Sequence, residues 1–355
     1  AVERLNCPFI YINQVGGNDE LIFDGSSFVL NKSAETILSL QSCQEDFKLW
    51  DTENIKKSNL PINLNPKEEL FKALVLGTRD YASKCGFKSA LIGLSGGIDS
   101  ALVAIIAAAA LGAENLTSVL MPSPWNSPSS TNDAIELTKR LNSCSIILPI
   151  TSLMKAFELS LQECLGEAPK GITAENLQSR IRGTLLMGLA NQKNHLLLAT
   201  GNKSELAVGY CTLYGDMNGA LAVIGDLYKT EIFELCEWID SDSSKDCRAA
   251  MGLPKSKDLI GRNIREKAPS AELRPGQLDT DSLPNYSVLD LILKALIERK
   301  ESPTMIERRG IDRNIIKKVI RLLKKGEFKR YQAPPLLKVS DQSLGSGWKV
   351  PIAAK

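Results

Sequence analysis

A chain of 355 residues is long enough to bury a large core and to hold two or three domains; its 43 basic and 41 acidic residues leave a formal net charge of +2, which argues against a strongly polyanionic partner. The eight cysteines are scattered, form no Cys-x-x-Cys pair and have one histidine to help them, so neither a disulfide framework nor a zinc or iron–sulfur centre is legible, and reduced thiols in a cytoplasmic protein are expected. No signal-peptide pattern opens the sequence, and the most apolar run, Ala101–Ala113, is shorter than the ~20 residues of a membrane span, so no membrane partner is expected.

In chain order, residues 1 to 31 read as short strands, Pro8–Asn13 and Ser27–Leu30, around turns at Gly16-Gly17-Asn18-Asp19 and Asp24-Gly25. Strands this short cannot form a core alone, so the segment reads as the end of a larger unit. Residues 32 to 66, with Lys56-Lys57-Ser58-Asn59 and Pro61 to Pro66, read as a linker. A helix then starts with Asn65 as cap and Pro66 at its first position, striped with Leu70, Leu74 and Val75.

Residues 88 to 112 read strand, glycine turn, helix. Ala90–Leu94 is an apolar run of strand length, Ser95-Gly96-Gly97 is a breaker, and Asp99–Leu111 is an apolar helix to be buried beside a sheet. Such a turn lets backbone approach a ligand closely, and the helix aims its unpaired N–H groups and positive dipole end at phosphate. Asp99 is placed to hold Mg²⁺. The alternative is an ordinary βα turn with Asp99 as a helix cap. No Lys-Ser or Lys-Thr follows the glycines, which excludes a Walker A loop.

Strands and helices then alternate: Thr117–Met121, Ser145–Ile150, His195–Thr200 and Leu221–Gly225 as strands; Thr131–Leu141, Leu153–Leu165, Thr173–Asn191 and Lys229–Ile239 as helices. This predicts an α/β fold with a doubly wound, mostly parallel sheet and ligands at its carboxyl edge. Beyond Ser287 the chain is helical, over Val288–Arg299 and Arg313–Lys325, and basic; without interleaved aromatics that run is a solvated face, and no nucleic-acid partner is expected.

Four further stretches bear on the ligand. In Glu175–Gly183, Arg180 and Arg182 point about 200° apart on a helix, so only one need face a ligand. Thr200-Gly201-Asn202-Lys203-Ser204-Glu205 with Gly209–Asp216 is either a polar ligand surface or a helix start capped by Asn202 and Glu205. Gly225–Thr230 repeats the strand-turn-helix design. Residues 269 to 284 form a long loop punctuated by Pro and Gly.

Ser95-Gly96-Gly97-Ile98-Asp99-Ser100 resembles the pyrophosphate loop of the N-type ATP pyrophosphatases, and the set of motifs from residue 8 onward resembles glutamine-dependent NAD synthetases. That resemblance implies a glutaminase-domain tail (1–31), a linker (32–66) and an NAD synthetase domain (67–355) whose fold is of the ATP pyrophosphatase kind with a helical C-terminal region. It implies ATP on Gly93, Leu94, Ser95, Gly96, Gly97, Ile98, Asp99, Ser100 and Thr200, and Mg²⁺ on Asp99 and Glu205. Deamido-NAD is implied at Asn176, Arg180, Glu205, Tyr210, Cys211, Thr212, Leu213 and Lys329, and catalytic roles at Asp99, Lys203, Asp216 and Lys229, with Asp216 offered as acceptor of a proton from ammonium. In the family the 269–284 loop closes over the site, ammonia or glutamine supplies the nitrogen, and assembly into a homo-oligomer runs through the synthetase domain. The sequence departs at Pro122–Ser127, where the family more often has Tyr-Ser-Ser or Phe-Ser-Ser after the proline. Another adenylating amidotransferase or tRNA-modifying enzyme would share the loop, and a non-catalytic nucleotide-binding subunit is the rival outside enzymes.

Overall fold

The computed structural model describes residues 2–52, 65–345 and 347–353; the Lys56–Asn59 part of the expected linker lies outside them. Ten strands run β1 (Phe9–Tyr11), β2 (Val15–Asn18), β3 (Leu21–Asp24), β4 (Phe28–Leu30), β5 (Thr36–Ser39), β6 (Ala90–Gly93), β7 (Leu116–Leu120), β8 (Cys144–Ile147), β9 (Leu196–Ala199) and β10 (Leu221–Ala222). The main sheet has five parallel strands in the order β10-β9-β6-β7-β8. Parallel strands with both faces covered read as unbroken apolar runs, as Ala90–Ile92 and Leu196–Leu198 do here.

The helix Ile98–Leu111 lies on one face. Residues Ala101 to Ala107 are fully buried, because helices Pro66–Lys84 and Lys229–Ile239 cover the side that the sheet does not. A helix apolar all round has to be buried all round. The helix Ile172–Lys193 covers the other face, where Ala190, Leu186 and Leu189 meet Leu91, Val119 and Leu197. A second core, built from helices Tyr286–Ile297 and Arg313–Lys325, joins through Leu206, Val208 and Tyr228. None of the described helices is long and apolar enough to cross a membrane.

Three expectations need correction. Gly16 and Gly17 lie within β2, which pairs with β3, and the turn is at Asp19-Glu20. The glycines serve close approach: a Cβ on Gly17 would stand 3.1 Å from Gly77 Cα of the helix Pro66–Lys84. Gly17 N–H donates to Asp80 (2.8 Å) and Lys84 to the Gly17 carbonyl (2.5 Å), so this hairpin is fastened to the helix Pro66–Lys84. Residues 36 to 39, expected as linker, are β5, which pairs with β4 and buries Ile37 and Leu38 against Val29. Finally, β10 is two residues long, and its ladder is extended instead by Leu336 beside Ala222.

Candidate active site

The carboxyl edge of the sheet delivers the glycine loop. At Gly96 φ is +82°, and a Cβ there would stand 2.1 Å from the Ser130 carbonyl, so no other residue fits. Gly97 is the N-cap of Ile98–Leu111 and makes no side-chain capping bond. Asp99 does not cap the helix, contrary to the capping alternative; it turns to Asn202 and Lys229. Ser95 and Ser100 brace the loop, their hydroxyls 3.0 Å apart, with Ser95 N–H donating to Ser100 Oγ (3.2 Å) and Gly97 N–H to Ser95 Oγ (3.2 Å). The result is a rigid, uncapped helix N-terminus suited to an anion.

A lysine flanked by carboxylates stands beside this loop. Asn202 and Glu205 form a capping box for the helix Lys203–Val208, so the capping half of that expectation holds. Asn202 Nδ2 also donates to Asp99 Oδ1 (2.9 Å), and Lys229 Nζ donates to Asp99 Oδ2 and lies 3.9 Å from Glu205 Oε1. Burial works against the Lys229 charge, but Asp99 and Glu205 outweigh it and raise the ammonium above its usual range. Burial, with Asp99 nearby, pushes Glu205 up to about 8. Asp279 lines the same corner, accepting from Tyr286 Oη (2.9 Å), and burial raises its carboxyl too.

From this corner a cavity of about 430 Å³ runs between the 269–279 segment and the helix Ile172–Lys193. Gly93, Leu94, Ser95, Gly97, Ile98, Asp99, Ser100 and Thr200 line one part; Asn176, Glu205, Tyr210, Cys211, Thr212, Asp216 and Lys329 line another. Thr212 donates from Oγ1 to Asn176 (3.0 Å) and from N–H to Asp216 (2.7 Å), and Lys329 Nζ donates to the Gly209 and Cys211 carbonyls (2.8 and 2.6 Å). Burial among the surrounding protein pushes the Asp216 carboxyl up to about 6, while the residue opens onto the cavity. Burial lifts the Cys211 thiol to about 12, so it carries no thiolate at neutral pH.

Four expected residues fall outside the lining. Gly96 sits behind the loop, packed on Ser130. Leu213 gives its carbonyl to Arg180 Nε (3.2 Å), and Arg180 is exposed. Of the two arginines it is Arg182 that faces the cavity, as the 200° separation requires; burial lowers its pKa to about 10. Lys203 is fully buried, bonded to Asp226 (3.0 Å), Glu298 (2.9 Å), Ser340 Oγ (2.7 Å) and the Gln342 carbonyl (2.9 Å). Its work is structural. Replacing Lys203 with Met should cost about 3–5 kcal/mol by leaving those carboxylates unpaired, with turnover of the folded protein changed only a few-fold. Paired melting curves and low-temperature assays check this.

Sequence reading gave no site role to Asn126, Ser130, Lys267 and Glu272, which line the cavity; Asn126 and Glu272 lie in stretches it singled out, at 122–127 and 269–284, while Ser130 and Lys267 lie in none. Ser127 and Pro128 were the signal for a helix beginning at residue 128, which brings Ser130 to the glycine loop.

Fold and site together define a parallel α/β protein with a glycine loop at an uncapped helix N-terminus and a carboxylate–lysine cluster at the carboxyl edge of its sheet. The NAD synthase family model matches residues 70–333, and the chain belongs to that family. It is 50% identical over 360 residues to the glutamine-dependent NAD(+) synthetase of Synechocystis sp., covering 99% of this chain and 62% of that protein, and 43% identical to the one from Acinetobacter baylyi, at 99% and 63%. Thus it spans a little under two thirds of those relatives. Among solved structures it resembles a glutamine-dependent NAD+ synthetase from Acinetobacter baumannii in complex with ADP (TM-score 0.69, 39% identity, 99% of this chain and 62% of that one). It also resembles the NH3-dependent NAD synthetase of Campylobacter jejuni (TM-score 0.58, 28% identity, 78% and 100%).

Proposed function

We propose that this chain is the synthetase part of a glutamine-dependent NAD synthetase, converting the nicotinate carboxylate of deamido-NAD into the carboxamide of NAD at the expense of ATP. The observation that carries the reading is that the uncapped helix N-terminus at Gly97 and the Asp99–Lys229–Glu205 cluster line one end of one cavity. The relatives' names and the ADP-bound neighbour support it.

The backbone N–H groups of the loop and the Ser95 hydroxyl hold the β and γ phosphates, and Lys229 faces the charge that develops at the α phosphorus. A nicotinate oxygen attacks that phosphorus, its bond to the bridging oxygen breaks, and pyrophosphate leaves an acyl-adenylate. Ammonia then adds to the acyl carbon and AMP departs with the electron pair. Asp216 takes the proton that ammonium must lose. Positioning supplies most of the rate, because the reaction asks no nucleophile of the protein.

Mg²⁺ fits the donor set, since Asp99 and Glu205 offer hard oxygens around a single lysine. Among the described residues no group of three or more His, Cys, Asp or Glu is arranged to hold a metal by itself, so nucleotide phosphates would complete the shell. When bound, the ion neutralises phosphate charge.

The 1–31 segment is read as the tail of a glutaminase domain that supplies ammonia in the whole protein, and 67–355 as the synthetase domain. Exposed Phe157, Leu159 and Leu165, on a helix with no buried residue among those described, support a homo-oligomer through this domain.

With ATP, Mg²⁺ and deamido-NAD, the chain is expected to make NAD and AMP from ammonium but not from glutamine. ADP in place of AMP, or no product from folded protein, would overturn the reading. Asp216 must be ionised to take a proton from bound ammonium, so at constant ammonium concentration the rate should fall as pH drops below about 6. Asp216→Asn should remove that limb and cost on the order of 10²-fold in turnover. A variant that keeps the limb would exclude Asp216 as the base.

A further inference from the structure

The 269–279 segment is braced as a unit. Ser270 Oγ donates to the Gln277 carbonyl (2.6 Å), Gln277 Oε1 accepts from Leu273 N–H (2.8 Å), and Gln178 donates to the Leu273 carbonyl (2.8 Å). At its tip Glu272 has φ +48°, a left-handed conformation that a residue with a long side chain rarely adopts. Both of its carboxylate oxygens reach across the cavity. Oε2 accepts from Asn126 Nδ2 (2.8 Å) and Oε1 from Ser130 Oγ (2.5 Å).

Those two contacts lead to the two walls of the cavity. Asn126 Oδ1 accepts from Arg182 Nη2 (2.9 Å) and from Ser123 N–H (2.8 Å), so the orientation of its amide is fixed at both ends. Arg182 is completed by the Met121 carbonyl (3.2 Å), and Glu272 is the carboxylate whose field reaches its guanidinium. On the other wall, Ser130 takes a bond from Lys267 Nζ (3.0 Å), and its carbonyl is the group against which Gly96 is packed.

We propose that Glu272 is a positioning residue that couples closure of the 269–279 segment to the aim of Arg182, through the Asn126 amide. With the segment closed, Glu272 holds the amide nitrogen, so the amide oxygen is presented to Arg182 and the guanidinium is held over the cavity. With the segment open, the Asn126 amide is free to turn over, Arg182 loses its side-chain partner, and Glu272 relaxes from its left-handed backbone.

The inference rests on reading the cavity as the ATP site, and the test separates the two. Hydrogen exchange of residues 269–279 is measured without nucleotide, and affinity for a non-hydrolysable ATP analogue is measured by calorimetry, on the wild type, Glu272→Ala, Asn126→Asp and the Asn126→Asp/Glu272→Gln double variant. In Glu272→Ala exchange should quicken about tenfold and affinity should weaken about tenfold, through loss of two bonds to a charged acceptor. Asn126→Asp sets two carboxylates face to face and should open the segment as far. The double variant restores a donor–acceptor pair with its polarity reversed and should recover most of both signals. Unchanged exchange in Glu272→Ala, or a double variant no better than Asn126→Asp, would overturn the coupling. A wild type that exchanges slowly in this segment and yet fails to bind the analogue would instead sink the nucleotide reading.

Discussion

Replacing Lys229 with methionine should lower NAD formation by 10²–10³-fold, the loss that follows removal of one well-placed cationic or hydrogen-bond donor from a developing charge. Methionine keeps the volume of the stem and removes the ammonium. Asp99 and Glu205 are then left to face each other without the cation between them. The fold pays for that in a pH-dependent way. The Glu205 carboxyl binds its proton more tightly folded than unfolded, so the folded state gains relative to the unfolded one at low pH and loses as pH rises through the interval between its unfolded and folded pKa values. Since Glu205 is already pushed to about 8 in the wild type, the melting deficit of the variant should be small near pH 5 and largest above pH 8. A deficit independent of pH would mean that the lysine's charge is not what holds the carboxylates in place.

Gly96→Ala is expected to remove nucleotide binding altogether within the range of a titration. The Cβ would stand 2.1 Å from a backbone oxygen, a contact that no side-chain rotation relieves, and the φ of +82° itself costs an L-residue roughly 1–2 kcal/mol. The loop must therefore move away from Ser130, and with it the Ser95 hydroxyl and the N-terminus of the helix Ile98–Leu111. Gly188 is the control. It lies in the helix Ile172–Lys193, exposed, with nothing within 4 Å of an added Cβ, so Gly188→Ala should stabilise the protein by about 0.5–1 kcal/mol and leave binding alone. If the two variants bound nucleotide equally, the loop would not be the phosphate site.

Where period and punctuation agree, the sequence is legible: Lys229–Ile239 and Arg313–Lys325 fall on their expected limits, and the glycine loop stands at the end of its strand. Legibility fails where a residue's role is set from far away. Lys203 sits inside a polar motif beside Glu205, yet its ammonium turns to Asp226, Glu298 and Ser340, none of which the motif reveals. Arg180 and Arg182 were separable as a pair by helix geometry, but which one faces inward depends on the rotation of the helix against the sheet. Glu272 and Asn126 meet across 146 residues, and nothing local announces them.

The ties of Lys203 to Ser340 and Gln342 also bear on the order in which the molecule is made. Asp226, which pairs with Lys203, accepts the N–H groups of Val339 and Ser340, and Ala222 donates to the Pro335 carbonyl. The loops that carry Asn202, Glu205 and Lys229 are thus completed by chain synthesised more than a hundred residues later. Contacts this distant in sequence form late and slowly. A nascent chain released from the ribosome only as far as residue 330 would hold the glycine loop and sheet but leave Lys203 and Asp226 without the segment that closes around them, so ligand-binding competence should wait until residues 335 to 342 have emerged.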